Sequence, residues 1–308
     1  MAIFRFKQFE VRNERSAMKV NTDGVLLGAL MTLRPDTDRR LLDIGTGTGA
    51  IALMAAQRLL NRSAKSPSPK ESEAHLKESA EEKVIAWYKA AGEAPGRIDA
   101  IDIDEASAEE AALNFAASPW AAALRAYRTS LQDFVPEAAY DAIFSNPPFF
   151  TETLHSPDSR KAQARHADSL PLGEIFRFAA RNLAPGGRLS LILPASQETP
   201  ARREAACEGL GVTRIVSIKG SERKPPYRVV IEFSRSGGQI VEPLRENVTI
   251  NMNGKYSDQY LTIVTDFLLI QNKAEVPFLR IFEDKSSLKE GVYWGTRPMQ
   301  RGDSDQKD

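Results

Sequence analysis

The sequence predicts an α/β fold: a doubly wound, seven-stranded mixed sheet with small N-terminal and C-terminal extensions. Three observations carry this. Short apolar runs alternate with stretches of helical periodicity, and the runs are apolar on both faces, as strands covered by helices on two sides must be. One run ends in a glycine turn that opens a helix, Leu42-Asp43-Ile44-Gly45-Thr46-Gly47-Thr48-Gly49-Ala50. The last two runs, 212–219 and 227–235, have only a loop between them, so they should pair antiparallel and give the sheet a mixed edge.

The elements follow in order. Residues 4–11 set Phe4, Phe6, Phe9 and Val11 among Arg5, Lys7 and Gln8, a largely alternating strand. After the basic and polar stretch 12–19, Thr22 or Asp23 is placed to cap a helix carrying Val25, Leu26, Leu27, Ala29 and Leu30. Pro35 and the charges before Arg40 close an N-terminal unit of residues 1–38. The first core strand is Arg40–Ile44, and a helix over about 49–60 turns Ile51, Leu53, Met54 and Leu59 inward. Residues 61–96 break the pattern. Their run Ser63-Ala64-Lys65-Ser66-Pro67-Ser68-Pro69-Lys70 has the composition of a flexible, solvated insert, with a short helix expected at 84–88.

Alternation then resumes, with a strand at 97–103, a helix at 104–117, and strands at 124–128 and 140–145. A polar loop at 151–167 leads to a helix at 170–183, which Pro185-Gly186-Gly187 should stop. A strand at 188–193, a helix at 198–210 and the two final sheet strands complete the count of seven. Beyond them 247–251 alternates as a separate strand, and Ser257 caps a helix bearing Tyr260, Ile263, Val264, Phe267 and Leu268. The sheet-bearing domain is therefore 39–273, and 274–308 reads as a partly disordered tail.

Composition narrows the function classes. Hydrophobic residues make up 42% and charged residues 27% of the 308, as in an ordinary globular protein. The 41 basic and 41 acidic residues balance, so any attraction to nucleic acid must come from local patches. Cys207 stands alone, which excludes internal disulfides and a cysteine-rich zinc site. His75, His155 and His166 show no ligand spacing, so no metal is expected. Charges in Met1-Ala2-Ile3-Phe4-Arg5-Phe6-Lys7 occupy the place of a signal peptide's apolar core, and no apolar run reaches the ~18 residues of a membrane span. A cytoplasmic monomer with no membrane contact is the expectation.

In an open α/β sheet the ligand sits at the carboxyl ends of the strands. Gly45, Gly47 and Gly49, with Thr46 between them, allow a tight turn and close approach of backbone to a ligand. Gly45-x-Gly47-x-x-Ala50 also fits a dinucleotide fingerprint, so the glycines leave both NAD and S-adenosylmethionine open. Asp43 tilts the choice, because a carboxylate there would face a pyrophosphate poorly but could attract a cationic aminoacyl group. Asp102, ending the second strand beside Ile103, is placed to accept from ribose hydroxyls, while Asp104 reads as the next helix cap. Asp133 follows the third strand and can accept from an adenine amine, with Phe134 touching the ring.

The strand 140–145 runs into Asn146-Pro147-Pro148-Phe149-Phe150. The Asn146 carboxamide oxygen and the Pro147 carbonyl are acceptors, and neither Pro147 nor Pro148 has an N–H to compete. Phe149 offers a flat face, and base stacking of this kind is worth roughly 1–3 kcal/mol. A ring-bound NH2 group is a poor nucleophile because its lone pair is delocalised. Two fixed acceptors would hold both of its N–H bonds, aim the lone pair at an activated methyl group and stabilise the charge that builds on nitrogen.

Taken together, Phe6-Lys7-Gln8-Phe9, the block from Ala17 to Ala29, the turn from Leu42 to Gly49, and Asn146-Pro147-Pro148-Phe149 give a resemblance. The chain resembles class I S-adenosylmethionine-dependent methyltransferases and, more narrowly, the bacterial tRNA(Val) adenine-N6 methyltransferase family. The likeness runs to about residue 273, and the N-terminal block is its most specific part. It implies a Rossmann-like sheet, S-adenosylmethionine as cofactor, and tRNA as substrate, methylated on the adenosine 3′ of the anticodon. It also implies cofactor contacts at Asp43, Gly45, Asp102 and Asp133, and contact of Asn146 and Pro147 with the target amine; Asn146 is expected to touch the cofactor too. The family turn more often carries Tyr where Phe149 stands, and the insert and tail are foreign to it.

RNA binding needs local positive charge. Arg5, Lys7, Arg12, Arg15 and Lys19 interleave with Phe4, Phe6 and Phe9, while Lys219, Arg223, Lys224 and Arg228 flank Pro225-Pro226-Tyr227. Arg165 adds a charge in the polar loop, and Asp23 is a possible pocket residue besides a capping one. Enzymes acting on a guanine amine in ribosomal RNA, or on a glutamine amide in release factors, share the strand–Asn-Pro-Pro-aromatic turn. A nicotinamide-dependent oxidoreductase and a silent nucleotide-binding module are the readings from other classes.

Overall fold

Residues 2–61, 96–148, 170–237 and 242–269 are described by the computed structural model. The expected insert (all but its end residues), its short helix, the loop 151–167 and the tail 274–308 lie outside the described residues, as do Phe149 and Arg165. The central sheet is built from β3 (Arg40–Ile44), β4 (Arg97–Asp102), β5 (Leu124–Arg128), β6 (Tyr140–Ser145), β7 (Leu183–Pro194), β8 (Leu210–Ser221) and β9 (Pro226–Arg235). Two further strands, β10 (Leu244–Met252) and β11 (Lys255–Tyr256), extend it, giving the order β11-β10-β8-β9-β7-β6-β3-β4-β5. The expected seven strands are therefore nine among the described residues. The chain beyond β9 did read as a strand, but its docking was not foreseen: β10 pairs parallel to β8 and buries Val248 and Ile250.

Chain direction follows the expectation. β3 to β7 are parallel, and β9 runs antiparallel to both β7 and β8. The sheet's two faces carry separate cores. Leu41, Ile98, Phe144, Ile192 and Val230 pack against α1 (Thr22–Leu30), α2 (Ala50–Asn61) and α3 (Glu105–Ala116). Leu42, Ile101, Ile143, Leu191 and Ile231 face α4 (Leu172–Asn182) and α5 (Glu198–Cys207). The period-two alternation of strand side chains thus splits consecutive apolar residues between two helical layers. In the second core Phe176 of α4 meets Phe233 edge-on at 5.0 Å.

Local corrections have local causes. The strand expected at 4–11 is a hairpin of β1 (Ile3–Arg5) and β2 (Glu10–Arg12), closed by Phe6 N–H donating to the Phe9 carbonyl at 2.9 Å. Ring stacking of Phe6 on Phe9, centroids 4.4 Å apart, takes the place of the usual Gly or Asn turn signal. Helix α1 is capped by Asn21, whose side chain accepts from Gly24 N–H at 2.8 Å, and not by Thr22 or Asp23. Pro185-Gly186-Gly187 does not separate a helix from a later strand. It forms a bulge inside β7, where Gly186 has φ +74° and a Cβ on Gly187 would meet the Tyr140 carbonyl at 2.8 Å. The capping assignment of Ser257 holds: it accepts from Tyr260 N–H at 3.0 Å to start α6 (Asp258–Val264).

Candidate active site

Three carboxyl ends meet at one edge of the sheet: β3 running into the glycine turn, β4 ending in Asp102, and β6 running into Asn146. The turn is pinned from beside and below. Gly45 and Thr46 donate their N–H groups to the Ile101 carbonyl at 2.9 and 3.0 Å. Gly47 N–H donates to Asp102 Oδ2 at 2.8 Å, and Asp104 N–H to Asp102 Oδ1 at 2.9 Å. Both Asp102 oxygens are thus fixed by backbone before any ligand arrives, and each keeps a lone pair to accept again. Gly47 and Gly49 have φ of +56° and +81°, where a side chain would be strained, and a Cβ on Gly49 would lie 2.5 Å from the Phe115 ring.

Asp43 is fully buried beneath this turn. Its Oδ2 accepts from Thr46 Oγ at 2.7 Å, whereas Oδ1 has no hydrogen-bond partner among the described residues. Burial pushes its pKa up to about 7; the Thr46 hydroxyl pulls the other way and the nearby Asp102 carboxylate adds to the rise. Burial also raises Asp102, against the backbone amides of Gly47, Asp104 and Ile103 that favour its charged form.

Asn146 sits across the crevice. Ser145 Oγ donates to the Ile44 carbonyl at 2.7 Å, tying the end of β6 to β3. The Asn146 side chain is 6% exposed; its Nδ2 donates to Met18 Sδ at 3.5 Å and its Oδ1 is buried without a partner. Met18, Val20, Asn21, Gly45, Gly47 and Asn146 line the crevice between them.

Half of those residues come from the N-terminal extension, which sequence reasoning assigned to RNA contact. What places it there is a set of polar groups on α3. Glu110 accepts from the N–H groups of Glu14, Arg15 and Ser16 at 2.8–2.9 Å and from Ser16 Oγ at 2.7 Å. Asn114 accepts from Arg12 N–H at 2.8 Å and donates to the Thr48 carbonyl at 2.8 Å, joining the extension to the glycine turn. Met18 and Asn21 fall within the family-like block 17–29 but no role is read for them from sequence, and Glu110 is not singled out at all. Asn21 caps its own helix, whereas Met18 and Glu110 meet partners 128 and up to 96 positions away.

The other expected site residues divide. Asp104 caps α3, accepting from Ser107 N–H at 2.9 Å, as its sequence position implied. Ile103 is 65% exposed, an apolar face at the sheet edge. Asp133 is exposed and accepts from Ser130 Oγ at 2.6 Å, while Phe134 packs between Tyr127 and Phe178. Pro147 and Pro148 follow Asn146 at the strand end, Pro147 buried and Pro148 exposed. Asp23 pairs with Arg228 at 2.8 Å, and the Arg228 guanidinium lies over the Tyr227 ring at 5.2 Å.

Lys219, Arg223 and Lys224 reach the same edge of the sheet by topology. β9 runs antiparallel, so it begins where the parallel strands end: Arg228 pairs with Pro194, the last residue of β7, and Leu191 of β7 pairs with Ser145. Lys19 stands on the extension and donates through Nζ to the Glu14 carbonyl. Among the described residues no group of three or more His, Cys, Asp or Glu side chains is gathered as for a metal, and no helix is long and apolar enough to cross a membrane.

Comparison with known proteins gives the family and the fold. The family described as "RMKL-like, methyltransferase domain" matches residues 27–205. A tRNA1(Val) (adenine(37)-N6)-methyltransferase of Parabacteroides distasonis is 35% identical over 269 residues, covering 86% of this chain and 97% of that protein. The enzyme of the same name from Christiangramia forsetii is 36% identical over 271 residues, with 86% and 97% covered. Among solved structures, a predicted O-methyltransferase from Agrobacterium tumefaciens superposes with a TM-score of 0.53 at 15% identity over 80% of this chain and 96% of that one, which supports the fold. The crevice, the strand order and these relatives converge: the chain belongs to the tRNA1(Val) (adenine(37)-N6)-methyltransferase family, within the RMKL-like methyltransferase domains.

Proposed function

We propose that this chain methylates the N6 amine of an adenosine in tRNA, the one 3′ of the anticodon in tRNA1(Val), as its relatives' names describe. The methyl donor of the family is S-adenosylmethionine. One observation carries the reading most directly: a buried acceptor, Asn146 Oδ1, left unbonded in the crevice above Gly45 and Gly47. A buried polar atom without a partner costs about 1–3 kcal/mol, so its persistence in this place points to a donor that arrives with substrate.

The residues suit the cofactor. S-adenosylmethionine carries a sulfonium, an ammonium, two ribose hydroxyls and an adenine. The crevice offers the Asp43 and Asp102 carboxylates, and nothing stands within 4 Å of where a Cβ on Gly45 would be, so the turn's backbone is open to a ligand. In this reading Asp102 holds the ribose, Ile103 and Phe134 flank the adenine, Asp133 accepts from its amine, and Asp43, steadied by Thr46, complements positive charge. The bound cofactor supplies an activated methyl group. Asn146 Oδ1 and the Pro147 carbonyl accept from the two target N–H bonds, Pro148 stiffens the turn, and Phe149 stacks on the base.

The segment 1–38 then works as one unit with the domain at 39–273, roofing the cofactor rather than only touching RNA. Lys219, Arg223 and Lys224 on the β8–β9 hairpin, with Lys19 and Arg165, supply the phosphate contacts. Asp23 holds Arg228 over the Tyr227 ring, a cation–π pair offered to an unpaired base. Tritiated methyl transfer into total tRNA, followed by nucleoside analysis, tests the proposal. Label in N6-methyladenosine is expected; label in a methylguanosine, in protein, or in nothing would overturn it.

A further inference from the structure

We infer that Met18 is a positioning residue for the methyl transfer: its thioether holds the Asn146 carboxamide in the orientation that leaves Oδ1 free for the target amine. This rests on the role proposed above for Asn146. The reasoning begins with what each group can do. A thioether sulfur accepts hydrogen bonds and donates none. A carboxamide presents two donors on one side and an acceptor on the other. Beside Met18 Sδ, at 3.5 Å, only the Nδ2 side forms a bond; turned over, Oδ1 would face sulfur lone pairs. The contact therefore selects one of two orientations that differ little in shape. The selected one carries the buried, unpartnered oxygen.

Met18 does not owe its place to core packing. It is 38% exposed, among the large apolar side chains least covered by the fold. Its backbone, by contrast, is held firmly. Glu110 collects three consecutive N–H groups just ahead of it, and Asn13 Oδ1 accepts from Val20 N–H at 2.9 Å just after it. The Met18 carbonyl lies 3.4 Å from where a Cβ on Gly47 would sit, so the loop is pressed onto the glycine turn. A loop fixed at both ends, bringing a thioether to the Asn146 carboxamide, is the arrangement expected of a group that sets another's direction.

Two substitutions separate this role from simple packing. Met18→Leu keeps the apolar bulk and removes the acceptor; Met18→Gln keeps the length and provides a carbonyl acceptor. If Met18 positions Asn146, Met18→Leu lowers kcat about tenfold, the scale of one lost hydrogen bond, while KM for tRNA and affinity for S-adenosylhomocysteine stay within about twofold. Met18→Gln then retains kcat within about threefold. The reverse order, with Leu active and Gln impaired, would assign Met18 to packing and overturn the inference, as would equal losses in both or no loss in either. Asn146→Ala is measured alongside. Should that variant turn over normally, the role of Asn146 itself fails, a result distinct from any pattern at Met18.

Discussion

Asp43→Asn should make the ligand-free protein more stable at pH 8 and leave its stability unchanged below pH 4. Asp43 is wholly buried, with one oxygen bonded to Thr46 Oγ at 2.7 Å; burial, opposed by that hydroxyl and the Ala52 backbone amide, is the main cause of a pKa raised from 3.8 to about 7. The sign follows from proton counting. Below pH 4 the carboxyl is protonated in folded and unfolded chains alike. Between pH 4 and 7 the unfolded chain loses the proton and the folded one keeps it, so stability falls as pH rises. Above pH 7 the loss is complete. About three pKa units at 1.36 kcal/mol each make it about 4 kcal/mol. At pH 5 only about a third of that has developed.

Asparagine has nearly the same shape, keeps an acceptor for Thr46 and carries no charge to bury. Thermal unfolding of both proteins should therefore show the variant about 10 °C more stable at pH 8, at a few degrees per kcal/mol for a chain of this size, and only a few degrees more stable at pH 5. A shift equal at both pH values, or a variant less stable at pH 8, would refute the assignment of a charged, desolvated Asp43. The same physics predicts a functional loss. A cationic cofactor favours the ionised carboxylate, so S-adenosylmethionine should bind the wild type more tightly as pH rises from 6 to 8, and the variant should lose that dependence.

Other consequences are more direct. Glu110→Ala removes four charge-assisted bonds to the loop that roofs the crevice, and should cost about 2–4 kcal/mol in denaturant unfolding while weakening S-adenosylhomocysteine binding. Stability lost with cofactor affinity unchanged would show that the loop does not depend on that anchor. Charge reversal at exposed Arg223 and Lys224 should raise KM for tRNA roughly tenfold or more at low salt, with cofactor affinity untouched; an unchanged KM would move the RNA contact off the β8–β9 hairpin.

Much of the sheet was legible because its signals are local. Apolar runs such as Leu41-Leu42 and Ile143-Phe144 are buried on both faces, and helices with period 3.6 separate them. Asp104 could be read as a cap because it stands directly before an alanine-rich helix. Thr22 and Asp23 read as the cap candidates, and Asn21, which directly precedes them and is equally cap-competent, is passed over by that reading. The hairpin at 3–12 was hidden because stacked rings close it where Gly or Asn usually would. β10 was visible as a strand but not as a member of the sheet, since edge pairing depends on which surface is left uncovered.

The candidate site shows the same division. Asp43, the glycines, Asp102 and Asn146 fall at strand ends, where the fold class alone brings ligands, so they could be named from sequence and the structure gathers them at one edge. Met18 could not. It meets Asn146 across 128 positions, through a loop whose course is set by Glu110 and Asn114 on a distant helix. The charge reading of Arg228 was incomplete for a similar reason, because its partner Asp23 lies 205 residues earlier.

The central claim is that Asn146 acts on the target amine, beyond any contact it makes with the cofactor. Single-turnover methyl transfer into tRNA by Asn146→Ala, set beside its calorimetric affinity for S-adenosylhomocysteine, tests that claim most directly. The account predicts a rate lower by about 10²-fold or more with affinity close to wild type. A rate near wild type, or a loss explained entirely by weaker cofactor binding, would contradict it.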